Sequence, residues 1–560
     1  MDAGLNQNAL PGLVRATLNR RHIVAVTILS PNSWLRPLAA AIVIGACPLA
    51  GPAMAQDATP ALLPAPVAPV PPLFDAAAID KALGELDGIV EDAMTRTGVP
   101  GIAVGVVYKD QVVYAKGFGV REIDKPGAID ADTVFMLASV SKPIASTIVA
   151  KLVGDGLIGW HDPVIEHNPD FALSDPYVTK NATFVDLLSH RSGLRTGAGD
   201  LLEDLGFDRD YILAHLDQQP LDPFRATYHY SNFGYTEGGI AAAVATGMSW
   251  EDLADKVLFG PAAMTTASYR HSDFLAHEDR ARIHAHLPDG SWAARYDRQP
   301  DAEAPAGGAS ASLNDMMRFV RLQLGNGMLD QVRLIDEQAL VSPRVPQVIP
   351  HEPPSDAFRG SFYGLGWNVS YDDEGRARVG HSGAFSLGTA TNVMMLPGED
   401  LGIVVLTNAG PIGVAEAIGA AFVDVAQNGR QTVEWVSFIG AVFEQMSAAE
   451  APAVDYADVP AGPAPARPLD TYAGTYQNSY YGPLTVTAAG DSLSMTLGPE
   501  AAPTTFALSH FDGDSFSFET IGENANGLAG ALFTIEGGGP AANVVLDFYD
   551  VNGLGTFTRE

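Results

Sequence analysis

The sequence predicts an α+β chain in which an antiparallel sheet is flanked by helices and interrupted by an inserted all-helical subdomain, followed by a small C-terminal β-barrel. Three observations predict it. Paired strand signals stand at 101–117 and again at 388–408, helical patterns and loops fill about 168–345 between them, and short alternating segments punctuated by Gly, Asp and Asn occupy 469–560.

Taken in order, the first 55 residues read as a secretory signal peptide. An apolar run at 37–50 follows Arg20, Arg21 and Arg36 and ends in Ala53-Met54-Ala55, a small-x-small cleavage pattern. The mature chain is therefore expected in the periplasm or outside the cell. Ile44-Gly45-Ala46-Cys47 also resembles a lipoprotein cleavage box, which would instead make Cys47 a lipidated N-terminus. Pro48 and Pro52 break the run, and no later segment offers ~18 uninterrupted apolar residues, so no stable membrane span is expected. Residues 56–74 alternate Pro with Ala, Val and Leu and read as an extended linker.

The first folded domain is expected over 75–446. Ile79, Leu83, Leu86, Ile89 and Val90 have helical spacing, which predicts an amphipathic helix over 75–97. Two β-branched runs, 101–108 and 111–117, are separated only by Lys109-Asp110 and predict a hairpin. Strands at 388–396 and 401–408 flank Pro397-Gly398, and 413–447 reads mainly as helix. A stretch rich in Ala, Pro and acidic residues at 447–468 reads as a second linker, and 469–560 as the β domain.

Composition narrows the function. A formal net charge of −33 repels phosphate backbones, so nucleic acid is excluded as a partner, and the acidity itself is read as solubility. Cys47 is the single cysteine, which leaves no disulfide chemistry once the leader is removed. His284-x-His286 is the nearest thing to a metal motif but has no carboxylate or cysteine set beside it, so neither metal nor cofactor is expected. GxSxG, the signature of an α/β-hydrolase, does not occur.

Three elements carry chemistry. A serine hydroxyl needs a base within reach, and a lysine serves only if its pKa is depressed. Among the eight lysines only Lys142 has a serine three residues before it, Ser139, and the pair sits in an apolar stretch expected to be a helix that begins at Ser139 and runs to about 153. Tyr230-Ser231-Asn232 reads as a loop from which Tyr230 relays a proton and Asn232 holds a substrate carbonyl or the Lys142 amine. His381-Ser382-Gly383, entering a strand, offers a glycine edge along which a substrate backbone can lie.

In this order and spacing, these elements resemble the beta-lactamase-like and penicillin-binding superfamily of class C beta-lactamases, DD-peptidases, D-aminopeptidases and related esterases. Gly98-Val99-Pro100-Gly101, the 187–194 block around Ser189-His190-Arg191, Tyr363-Gly364-Leu365-Gly366-Trp367 and Gly380-His381-Ser382-Gly383 are similar to its blocks, over about 78–445. The resemblance implies acyl transfer through Ser139, with Lys142 and Tyr230 shuttling protons and backbone N–H groups of Ser139 and Ala384 forming an oxyanion hole. Asn232, His381, Ser382 and Gly383 would bind substrate. Beta-lactamases of the group usually carry Lys where this chain has His381, so any carboxylate anchoring should fade as pH rises through the histidine range near ~6.5.

The resemblance thus implies an exported serine hydrolase for peptide, amide or ester substrates, including peptides with D-residues or non-ribosomal peptides such as linearised microcystin. The alternatives are a beta-lactamase or a penicillin-binding sensor with little turnover. The 469–560 segment, with Tyr472-Ala473-Gly474-Thr475-Tyr476, is similar to the lipocalin-like domain of some relatives, where it frames the active-site mouth or serves stability and dimerisation. Oligomeric state is left open.

Overall fold

Asp75 opens the first helix, Ala76–Thr97, by accepting the Ala78 N–H at 2.9 Å, and Gly98 ends it in the left-handed region at φ 68°. The computed structural model describes residues 74–560 apart from 354, 358, 373, 450 and 451. The expected leader at 1–55, with its lipoprotein variant, and all but the last residue of the 56–74 linker lie outside the described residues.

The central sheet has seven antiparallel strands in the spatial order Gln111–Gly119, Gly101–Tyr108, Leu401–Thr407, Thr389–Leu396, Ala377–Phe385, Asn368–Tyr371, Phe362–Tyr363. The two predicted hairpins become neighbours because Gly101–Tyr108 pairs with Leu401–Thr407, Val104 opposite Val405. All eight residues of Gly101–Tyr108 are buried. Ile102, Val104 and Val106 pack under the helices Ala76–Thr97 and Val414–Asn428, while Ala103 and Val107 meet the helix Leu313–Leu324 and the rest of the main core. A strand covered on both faces needs an unbroken apolar run rather than alternation. Gly105 has its own reason, since a Cβ there would lie 2.5 Å from Met317 Sδ.

The all-helical insert follows the helix Ser141–Gly154 and includes Phe184–Leu188, Asp200–Asp204, Arg209–Ala214, Asn232–Val244 and Trp250–Ala254. The C-terminal segment is a closed barrel of eight antiparallel strands in sequence order, from Gly474–Gln477 to Thr556–Arg559, shut by pairing of Tyr476 with Arg559. Tyr456 in the 447–468 stretch bonds Asp547 of the barrel at 2.7 Å, and Ala464 bonds Asp512 at 2.6 Å. The barrel rests on the helical insert through Tyr211 Oη to Tyr480 O (3.0 Å), Ser479 Oγ to Gln218 Oε1 (2.7 Å) and Asn552 Nδ2 to Gln219 Oε1 (3.0 Å). One continuous apolar core joins the two, and all described residues fall in a single compact unit. Among the described residues no helix is long and apolar enough to cross a membrane.

Candidate active site

Ser139 sits in a 3-10 turn, Ala138–Val140, and the α-helix begins only at Ser141, two residues later than the sequence suggested. The reason lies in the strand beside it. A Cβ at Gly383 would meet Leu137 O at 2.3 Å, Thr391 Oγ1 at 2.6 Å and Val140 N at 2.8 Å, so the bare glycine lets the turn press directly on the sheet. Thr391 Oγ1 donates to Leu137 O at 2.7 Å, and Ala138 takes a positive φ of 47° to turn the chain outward. The helix start is held from the other side by Tyr269 Oη on Ser141 O (2.9 Å), Tyr235 Oη on Lys142 O (2.7 Å) and the Ala309 N–H on Ser141 Oγ (2.8 Å). A nucleophile fixed this way loses little orientational freedom on reaction.

Lys142 is fully buried, and its Nζ lies 3.1 Å from Ser139 Oγ, 2.8 Å from Asn232 Oδ1 and 3.1 Å from Ala306 O. Burial lowers its pKa from the ordinary 10.5 to about 7, against the opposing pull of Glu303 and Asp200. A neutral amine has two N–H donors and one lone pair. Asn232 Oδ1 and Ala306 O are two acceptors, which leaves the lone pair for the Ser139 hydroxyl, the geometry of a general base.

Tyr230 also interacts with the Ser139 hydroxyl, and its ring lies 4.4 Å beneath the lysine nitrogen. Burial pushes the phenol well above its ordinary range, so it stays neutral and passes protons as O–H rather than as a standing phenolate. Asn232 is not in a loop. It is the first residue of the helix Asn232–Val244, whose cap Ser231 accepts the Gly234 N–H at 3.1 Å, and the helix axis aims its side chain at Lys142.

In the third element the structure corrects the charge expected of His381. His381 is buried inside the strand Ala377–Phe385; Nδ1 lies 2.5 Å from Ser382 O and Nε2 accepts from Tyr363 Oη at 3.0 Å. Burial, with nearby Lys142, lowers its pKa to about 3, so it is neutral at physiological pH and offers no charge to a carboxylate; the anticipated fading through neutrality does not apply. Ser382 faces the opposite layer, where its Oγ accepts from Asn392 Nδ2 at 3.1 Å and meets Glu416 of the helix Val414–Asn428. Gly383 seats the nucleophile turn, as described. Ala384 does reach the cleft and shares its wall with Ser139, Tyr230 and Asn232.

Several residues that sequence reasoning passed over also shape the site. His190 lies within the quoted 187–194 block, yet its role emerges only in space: its ring sits 4.5 Å from Tyr230 and 5.0 Å from Tyr363, and its Nδ1 accepts the Ser231 N–H at 3.2 Å. The cleft, about 1190 Å³, is further lined by Asp200, Glu203, Arg298, Glu303 and, from the barrel, Glu523. No local motif marks them. His284, the metal candidate, has Nδ1 on Asn408 O (2.9 Å) and Nε2 on the Ile123 N–H (3.1 Å), so both ring nitrogens are committed to main chain.

A penicillin-recognising architecture with a buried lysine beside a serine defines the class, and the comparisons agree with it: residues 86–427 match the Beta-lactamase family, to which the chain belongs. It is a serine hydrolase of that family. Residues 458–552 match a domain of unknown function, DUF3471. The chain is 29% identical to penicillin-binding protein 4 of Amycolatopsis lactamdurans over 56% of its length and 82% of that protein. It is 25% identical to the unguisins hydrolase ungD of Aspergillus violaceofuscus over 81% of its length and 86% of that protein. The octameric penicillin-binding protein homologue from Pyrococcus abyssi has the same fold, with a TM-score of 0.55 at 19% identity, covering 85% of this chain and all of that one.

Proposed function

We propose that the protein is an exported serine peptidase, amidase or esterase that works through an acyl-enzyme on Ser139. The observation that carries this reading is the buried Lys142 amine, its pKa lowered to about 7, 3.1 Å from Ser139 Oγ with two other acceptors in place. Lys142 takes the Ser139 proton as Oγ bonds the substrate carbonyl carbon; as the carbonyl reforms and the bond to the leaving group breaks, Tyr230 hands its proton to the leaving group and takes one from the Lys142 ammonium, which returns both groups to neutral. Backbone N–H groups of Ser139 and Ala384 receive the oxyanion; donors of this kind are typically worth ~3 kcal/mol each in the transition state. Water then repeats the sequence and frees the acid.

Peptides, including D-residue and non-ribosomal ones, are the preferred substrates. Two features support them over beta-lactam antibiotics: His381 supplies no permanent charge for a carboxylate, and relatives named unguisins hydrolases align over 81% and 71% of the chain. The test is fluorophosphonate labelling with intact-mass detection, beside hydrolysis of p-nitrophenyl esters, D-amino-acid peptide amides and nitrocefin. Labelling of wild type but not Ser139→Ala, with esters or peptides turned over faster than nitrocefin, is expected. Equal labelling of Ser139→Ala sinks the mechanism.

A further inference from the structure

Beyond the reacting groups, the wall of the same cleft is acidic in an unusual way. Arg298 is its fixed cation, and one nitrogen of it, Nη2, bonds both Glu203 Oε2 at 2.6 Å and Glu303 Oε1 at 2.7 Å; the three side chains are only 7%, 8% and 4% exposed. Glu523 reaches in from the barrel and accepts the main-chain N–H groups of Ser386 and Leu387. Asp200 also lines the cleft. Four carboxyl groups therefore surround a single guanidinium.

The hydrogen-bond inventory of the cluster is incomplete, and Arg298 Nε is also buried without a partner among the described residues. Glu203 Oε1, on a side chain more than nine-tenths buried, has no partner among the described residues, and neither does buried Asp200 Oδ1. Buried carboxylate oxygens are ordinarily hydrogen-bonded, so one that is not calls for a partner. Burial pushes Asp200 to about 8, Glu523 to about 7 and Glu203 well above its ordinary range, with neighbouring carboxyls adding to the shift and Arg298 opposing it. Among the described residues no three acidic or histidine groups converge in a way that could hold a metal ion. A hydrogen-bonding organic cation matches these acceptors instead, because its several N–H donors can serve separate carboxylates at once.

We propose that Asp200, Glu203, Glu303 and Glu523 form a subsite for a positively charged group of the substrate, a primary ammonium or a guanidinium, so that the enzyme selects cationic peptides, amides or esters. This inference rests on the serine-hydrolase reading. The barrel is then part of substrate recognition, since Glu523 belongs to it.

The test is inhibition of p-nitrophenyl butyrate hydrolysis by matched ligands: alaninamide of either hand against N-acetylalaninamide, and hexylamine against hexan-1-ol. In wild type the cationic member of each pair should inhibit at least tenfold more tightly, and Asp200→Asn or Glu203→Gln should cut that ratio at least threefold. The wild-type ratio needs no substituted protein, so misfolding of Glu203→Gln does not blunt the test. Ratios near one in wild type, or ratios unchanged in both variants, overturn the subsite while leaving the hydrolase reading intact. If p-nitrophenyl butyrate is not hydrolysed and Ser139 is not labelled, both readings fall together.

Discussion

Lys142 carries a large electrostatic cost at the residue scale. Its shift from 10.5 to about 7 corresponds to roughly 5 kcal/mol of unfavourable burial of the charged form. The unfolded chain keeps the proton up to 10.5 while the folded one releases it near 7, so this group's contribution to stability rises with pH across that window and is least favourable below 7. Lys142→Met should therefore raise stability at pH 7 by about 1–3 kcal/mol, the gain being reduced by acceptors left unpaired, while lowering kcat/KM at least a thousandfold. Urea titration and ester kinetics on the same preparation check both. Wild-type kcat/KM should rise with pH through about 7 as the amine loses its proton. Asn232→Asp places a carboxylate against that amine, 2.8 Å away in the present geometry, and should move this limb upward by about one unit or more.

Among the elements, the strand Ala377–Phe385 and the turn Ala138–Val140 act as one device. Successive residues of a strand face opposite layers, so His381 and Gly383 look toward the nucleophile while Ser382 looks toward Glu416. Gly383→Ala puts a methyl 2.3 Å from Leu137 O, which forces the turn off the sheet. We expect a loss of about 1–3 kcal/mol and a fall in kcat of at least thirtyfold, because the reacting atoms move while the chemistry is unchanged. Ser382→Ala, one residue away, should leave kcat within about threefold. A difference of less than threefold between the two variants would count against this division of roles.

For the whole molecule, the question is what the barrel contributes. Asp204 of the helical insert accepts the main-chain N–H of Glu523 (2.7 Å) and of Asn524 (3.1 Å) and the Asn524 side chain (2.8 Å), and Glu523 then reaches the turn that follows Ala384. The barrel loop thus ties the insert to the sheet across the cleft. Asp204→Ala should cost about 1–3 kcal/mol and lower ester turnover several-fold, with limited proteolysis cutting first near 522–526. Because one apolar core runs through both parts, wild type should unfold in a single calorimetric transition. Two separated peaks would mean that the barrel is an independent appendage.

The sequence by itself determined the first helix, the two strand pairs at 101–117 and 388–408 and the order of the helical and β regions, because strand and helix periods are written locally: the apolar run at 101–108 and the stripe Ile79, Leu86, Ile89 and Val90 need no distant partner to be legible. It also singled out Ser139 and Lys142, since a serine one helical turn from a lysine inside an apolar stretch is a local oddity. Tertiary structure alone decided what depends on who lies opposite whom. The pKa of Lys142 comes from burial, opposed by Glu303 and Asp200, and its hydrogen-bond acceptors Asn232 and Ala306 O stand 90 and 164 residues away. The neutrality of His381 comes from its enclosure, the direction of Ser382 from the strand's register, and the acidic wall from Asp200, Glu203, Arg298, Glu303 and Glu523, drawn from three distant stretches of chain. Electrostatics and satisfied hydrogen bonds are properties of neighbours in space, and folding chooses those neighbours.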